Sequence, residues 1–171
     1  MKDILIIMTG GTIDAEAYPD PARPPKNAIP LKDSLVPQAV EEMGHAGDCR
    51  FFQWMMKDSK DFTSAEIYAM SVFVRQRRAE HIIITHGTDR MPENSRQLAE
   101  LLKESGKTVI VTGAMLPLAN GQASDGYENL RFAIERMEAL APGVHVVMHG
   151  RLFTPSKLRK NFTTRQFEEI A

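Results

Sequence analysis

Apolar residues along this chain fall into short blocks separated by amphipathic stretches. Five blocks of about five residues, at 4–8, 51–56, 81–85, 108–112 and 144–148, are rich in Ile, Val and Phe. Their length and near-continuous apolar character predict strands buried on both faces of a parallel sheet. Between them the apolar spacing changes to three and four residues, the mark of helices with one buried face. Thr63 with Glu66 three residues on makes a capping box ahead of Ile67, Met70 and Val74. Pro92 suits the first turn of a helix carrying Leu98, Leu101 and Leu102. Further helices are predicted at 31–43, with Pro37 as a break or kink, and at 127–140, stopped by Pro142-Gly143. Leu152 and Phe153 extend the structure at an edge, and the tail from Ser156 is basic and then acidic.

Strands alternating with helices define an α/β fold, a three-layer sandwich whose mostly parallel sheet is flanked by helices, with right-handed crossovers expected throughout. One segment stands apart. Residues 14–30 contain Pro19, Pro21, Pro24, Pro25 and Pro30, which forbid a helix or an interior strand. A connection of that length is either a functional lid or a disordered excursion.

Composition narrows the function. The 171 residues read as one domain, long enough to bury a core without staples. With 21 basic against 22 acidic residues, the chain lacks the positive excess of a nucleic-acid binder. Its one cysteine, Cys49, excludes an internal disulfide and reads as a small buried hydrophobe. His45, His81, His145 and His149 show no ligand spacing, so a metal is not expected. No apolar run reaches transmembrane length, and 4–8 is too short for a signal-peptide core. The expectation is a cytoplasmic protein acting on a small molecule, with no nucleic-acid or membrane partner.

In open parallel sheets, ligands bind beyond the carboxyl ends of the strands. That rule selects Thr9-Gly10-Gly11-Thr12, Asp58-Ser59-Lys60-Asp61, His86-Gly87-Thr88-Asp89 and Gly113 to Pro117. These segments combine hydroxyls, carboxylates and glycine-flanked turns whose free N–H groups suit an oxyanion. A threonine nucleophile needs a base or charged network to take its proton. Together they suggest acyl transfer without a metal. Each piece also has a plainer reading: Gly10-Gly11 as a sharp turn, Thr12 as a helix cap, Asp58-Ser59 as an ordinary turn, Asp89 as a cap for the helix at Pro92, and His86 as a packed, hydrogen-bonded histidine. Nucleotide binding competes weakly, because neither a complete G-x-G-x-x-G nor a P-loop is present.

Taken in order, Thr9-Gly10-Gly11-Thr12-Ile13, Asp58-Ser59-Lys60-Asp61, Thr85-His86-Gly87-Thr88-Asp89 with Met91, Thr112-Gly113-Ala114-Met115 with Pro117, and Ala123-Ser124-Asp125-Gly126 leading to Asn129-Leu130 resemble the bacterial-type L-asparaginases. The resemblance covers nearly the whole chain but only that family's N-terminal domain. It implies hydrolysis of L-asparagine to L-aspartate and ammonia through an acyl-enzyme, with no cofactor and with glutamine as a side substrate. It implies Thr12 as nucleophile, helped by a loop tyrosine for which Tyr18 is the candidate. It implies a second triad of Thr88, Asp89 and a lysine. Lys160-Asn161-Phe162-Thr163 fits the family's Lys-x-x-Thr segment, with Lys157 as the alternative. It implies substrate binding by Asp58, Ser59, Thr88, Asp89 and the backbone at Ala114. Ser59 and Asp89 would take the α-carboxylate and α-amino groups.

The chain departs from the family pattern at Tyr18, nearer Thr12 than expected, at Lys60, where an uncharged polar residue is more usual, and at Leu116, which replaces a frequent arginine. The largest departure is the family's C-terminal domain, absent from these 171 residues. The expectation is a naturally short relative, residues 1–171 forming one domain, that assembles as a homodimer or homotetramer to cover exposed surface. A non-catalytic amino-acid-binding module, or a subunit needing a partner to complete its site, are the alternatives.

Overall fold

The computed structural model describes residues 2–171. Its strands and helices run β1 (Ile4–Met8), α1 (Val36–Glu42), β2 (Cys49–Gln53), α2 (Ser64–Gln76), β3 (His81–Thr85), α3 (Met91–Leu102), β4 (Thr108–Thr112), α4 (Gly126–Arg136), β5 (Gly143–Met148), β6 (Arg151–Phe153), β7 (Leu158–Asn161) and β8 (Gln166–Glu169). The first six strands form one sheet in the order β2-β1-β3-β4-β5-β6. Pairing is parallel from β2 to β5, and β6 is an antiparallel edge. β7 and β8 make a separate hairpin.

Side chains alternate across the sheet and build two cores. Ile4, Ile6 and Met8 join Val36 and Val40 of α1 and Leu130 and Ile134 of α4 on one face. Leu5 and Ile7 join Ile67, Met70 and Val74 of α2 and Met91 and Leu98 of α3 on the other. This is the expected three-layer α/β sandwich. The capping box at Thr63 and Glu66 forms in full. Cys49 is buried, and burial pushes its thiol up to about 11, which keeps it an inert hydrophobe.

Several expectations need correction. Helix α1 begins at Val36 rather than Leu31, because Asp14 Oδ1 and Oδ2 bind Leu35 N and Ser34 Oγ and hold the preceding segment in a turn. Pro37 therefore lies in the first turn and kinks nothing. Strand β2 is shifted toward the N-terminus, at Cys49–Gln53. The tail from Ser156, for which the sequence shows only a basic and then an acidic run, forms the β7–β8 hairpin. Leu158 and Phe167 are buried and seat the β7–β8 hairpin on the α3 face.

The crossovers are also not of one hand. α1 links β1 to β2 in one direction across the sheet, and α4 links β4 to β5 in the opposite direction, yet both lie on the same face. α2 and α3 run in the direction of α4 but on the other face, so they share the hand of α1. With those three right-handed, as such units normally are, the β4–α4–β5 unit is left-handed. Its long entry segment, 113–125, is what carries the chain across to the α1 side.

Candidate functional site

The chain leaves β1 toward β2 and later passes to β3 on the other side of β1. The ends of β1 and β3 thus flank a topological switch point, where a crevice opens between diverging connections. Two glycines let the backbones close in there. Gly11 has φ 84°, and a Cβ on it would lie 2.3 Å from Gly87 Cα. A Cβ on Gly87 would in turn meet Ser59 at 2.8 Å. Any side chain at either position would push apart the turns after β1, β2 and β3.

A pocket of about 150 Å³ results, lined by Thr12, Tyr18, Asp58, Ser59, Thr88, Asp89, Met115 and Lys160 among others. That is below the ~300–1,000 Å³ typical of drug-sized ligands and suits a small metabolite. Thr12 begins a one-turn 3-10 helix, Thr12–Asp14, that no side chain caps. The Tyr18 hydroxyl lies 3.3 Å from Thr12 Oγ1 as its hydrogen-bond donor. Asn120 grips the Tyr18 backbone from both sides, accepting its N–H through Oδ1 at 2.9 Å and donating from Nδ2 to its carbonyl at 3.0 Å. The proline-rich loop is therefore ordered over the pocket, its base closed by the Ala15–Pro30 bridge.

Lys160 Nζ donates to Thr88 Oγ1 at 2.9 Å and to Asp89 Oδ1 at 2.5 Å. Its side chain is only 6% exposed, against 33% for Asp89. Asp89 is not a helix cap: α3 starts after Arg90, and no side chain caps it. Lys160 lines the pocket and Lys157 does not. Ser59 is fully buried, and its Oγ accepts the N–H of Arg90 at 3.0 Å, leaving its hydroxyl hydrogen to donate. Asp58 caps the Ser59–Asp61 turn by accepting the N–H of Lys60, so the plain turn reading also holds for it. Ala114 is the expected residue whose side chain does not reach the pocket. Its methyl packs in the α4 core, and Met115 forms the wall instead.

His86 takes its bland reading. Thr9 Oγ1 donates to Thr85 O at 2.6 Å, so His86 Nδ1–H donates to Thr9, and Nε2 accepts from Asn94 at 2.8 Å. With both nitrogens satisfied and burial pushing its pKa down to about 4, the ring is a neutral strut. Among the described residues no group of His, Cys, Asp and Glu is placed to hold a metal ion.

Residues beyond the expected set shape the site. Asp125 accepts the N–H groups of Met115 and Leu116, each at 2.9 Å, and Asn129 Nδ2 donates to Gly113 O at 3.0 Å. These bonds fix the wall. Lys26 and Arg165 also line the pocket. Only for Asp125 and Asn129 did the sequence offer a signal, the Ser-Asp-Gly segment itself.

Comparison with known proteins agrees with this geometry. Residues 3–168 match the family described as "Asparaginase, N-terminal", and the chain belongs to that family. A glutaminase-asparaginase of Acinetobacter glutaminasificans is 25% identical over 175 residues, covering 97% of this chain and 52% of that protein. The crystal structure of L-asparaginase I from Vibrio cholerae superimposes with a TM-score of 0.76 at 25% identity, covering 98% of this chain and 51% of that one. A probable cytoplasmic L-asparaginase from Campylobacter jejuni, 24% identical with 99% of this chain and 52% of that one covered, shares the fold at a TM-score of 0.78. The chain spans about half the length of these proteins. Among the described residues no helix is long and apolar enough to cross a membrane.

Proposed function

We propose that this chain is an amidohydrolase of the asparaginase kind, hydrolysing the side-chain amide of L-asparagine to L-aspartate and ammonia. The observation that carries the reading is the reach of Lys160. It comes from 72 residues beyond Thr88, on a separate hairpin, and its ammonium meets Thr88 and Asp89 in the pocket that also holds Thr12. A surface lysine has no reason to be nearly buried against a hydroxyl and a carboxylate at a strand end.

In this reading Thr12 Oγ attacks the amide carbonyl, and its proton is relayed through the hydroxyl network it shares with Tyr18 to the departing amide nitrogen. The carbon–nitrogen bond breaks, the nitrogen leaves as ammonia, and an ester to Thr12 remains. Water then cleaves that ester, releasing the carboxylate and restoring the Thr12 hydroxyl. Thr88, Lys160 and Asp89 form the second set, which moves protons as ammonia departs and water enters. Ser59 has a hydroxyl hydrogen left to donate to a substrate carboxylate. Residues 1–171 act as one asparaginase N-terminal-like unit, and copies of it assemble with one another.

The test is ammonia release from L-asparagine by the purified chain beside Thr12→Ala. Turnover lost in the variant, with the circular dichroism spectrum unchanged, is the expected result. Full activity in Thr12→Ala overturns the nucleophile. No ammonia from the folded wild-type chain, with aspartate still bound, leaves a binding module. Activity that appears only with a second protein makes this a subunit of a shared site.

A further inference from the structure

Positive side chains outnumber negative ones around the pocket. Four cations line it, Lys26, Lys60, Lys160 and Arg165, against two carboxylates, Asp58 and Asp89. Both carboxylates are already engaged. Lys160 Nζ sits 2.5 Å from Asp89 Oδ1, and Lys60 Nζ sits 3.6 Å from Asp89 Oδ2, so one ammonium stands at each oxygen. Lys60 Nζ is also 3.8 Å from Asp58 Oδ2. An incoming α-ammonium would be the third cation around Asp89, within a few ångströms of two others. Like charges at that range oppose one another, and both oxygens of Asp89 already face an ammonium. Among the described residues Lys26 and Arg165 form no ion pair, so the mouth of the pocket carries uncompensated positive charge.

We infer that the pocket selects anionic amides: half-amides of dicarboxylic acids that lack an α-nitrogen, taken in preference to amino acids with a free α-ammonium. Lys60 is the specificity-determining residue. Its ammonium occupies the space beside Asp58 and Asp89 that an α-ammonium would need, and it pairs instead with substrate carboxylate. The inference rests on the amidohydrolase reading and names the class of amide that the same threonine chemistry acts on best. The lining charges favour a small anion, and at about 150 Å³ the pocket admits only a short carbon chain.

Succinamate, which is asparagine without its α-amino group, provides the probe. The ratio of kcat/KM for succinamate to that for L-asparagine is measured for the wild-type chain and for Lys60→Gln, which keeps length and hydrogen bonding but removes the charge. A wild-type ratio above ten is expected, falling at least tenfold in Lys60→Gln. A ratio of one or less in the wild type, or a ratio that Lys60→Gln does not move, overturns the inference. Calorimetric titration of the product anions into Thr12→Ala reads the same selection without turnover, with succinate binding at least tenfold tighter than aspartate. If no amide is hydrolysed but succinate still binds tighter, the amidohydrolase reading fails and the charge selection stands. Equal binding of the two anions overturns the selection.

Discussion

The hairpin that carries Lys160 and the proline-rich loop that carries Tyr18 meet over one pocket but are attached to the body differently. The hairpin is anchored by apolar packing: Leu158 and Phe167 are buried in the α3-side core with Phe153. Polar contacts add to this, Arg96 donating to the carbonyls of Pro155 and Leu158 and Phe167 N donating to His149 Nε2. The loop has almost no apolar anchor besides Tyr18 itself. It is held by Asn120 at Tyr18, near its start, and by the Asp14 carboxylate at its base. Apolar burial is non-directional and tolerates small shifts, whereas hydrogen bonds hold one geometry and open locally at lower cost. The lysine is thus held in place chiefly by packing of its hairpin, and the tyrosine chiefly by directional hydrogen bonds.

The comparison breaks most visibly at Lys160. Lys160→Ala removes the group that contacts Thr88 and Asp89, and a loss of about 10²–10⁴-fold in kcat/KM is expected, the range of a general acid–base contribution. The hairpin stays seated, because Leu158 and Phe167 do not depend on the lysine, so thermal stability changes little. A loss of stability matching the loss of activity would mean that the lysine is structural. Next is the anchor itself. Phe167→Ala is expected to cost about 3–5 kcal/mol, read as a shift of the denaturant midpoint. It takes activity with it by releasing β7 and β8. A third change addresses the loop. Asn120→Ala removes both bonds to the Tyr18 backbone, and kcat should fall about tenfold with stability lowered by only about 1 kcal/mol. A large drop in stability there would show that the loop is as integral as the hairpin.

How far the sequence foretold each arm follows the same division. β1, β3 and β4 are where the apolar runs place them, since strands buried on both faces announce themselves without alternation. β2 is an edge strand with exposed positions, so its apolar run, which continues through Trp54 to Met56, marks packing rather than pairing. The hairpin was illegible as structure because each four-residue strand turns one large apolar side chain inward, Leu158 or Phe167. Its real signal was charge: basic 157–160 stands opposite acidic Glu168 and Glu169, and Arg159 pairs with Glu168. Thr12, Ser59, Thr88 and Asp89 were readable from the strand-end rule alone. Lys160 came only through resemblance, because no local rule links it to a strand end 72 residues away. The left-handed unit was unreadable, since handedness depends on which face α4 chooses, and both faces are apolar.

The smallest effect separates the two anchors by the sign of their pH dependence. Burial raises the pKa of Asp14 above its ordinary 3.8, so between that value and the raised one the folded chain holds more proton than the unfolded chain. Stability from this group is present below pH about 4 and is lost as pH rises through the raised value. His149 behaves oppositely. Burial lowers its pKa below 6.5, and its Nε2 must stay unprotonated to accept Phe167 N–H. Its contribution is present above pH 6.5 and is lost as pH falls through the lowered value. Melting temperatures measured from pH 4 to pH 8 should therefore change in slope when either group is replaced. Asp14→Asn removes the decline toward higher pH. His149→Asn, which tolerates the positive φ of 55° at that position, removes the decline toward acid. Each change is expected to be smaller than that of Phe167→Ala and opposite in sign to the other. Were the two replacements to change the slope in the same direction, the loop and the hairpin would not be held by separate anchors.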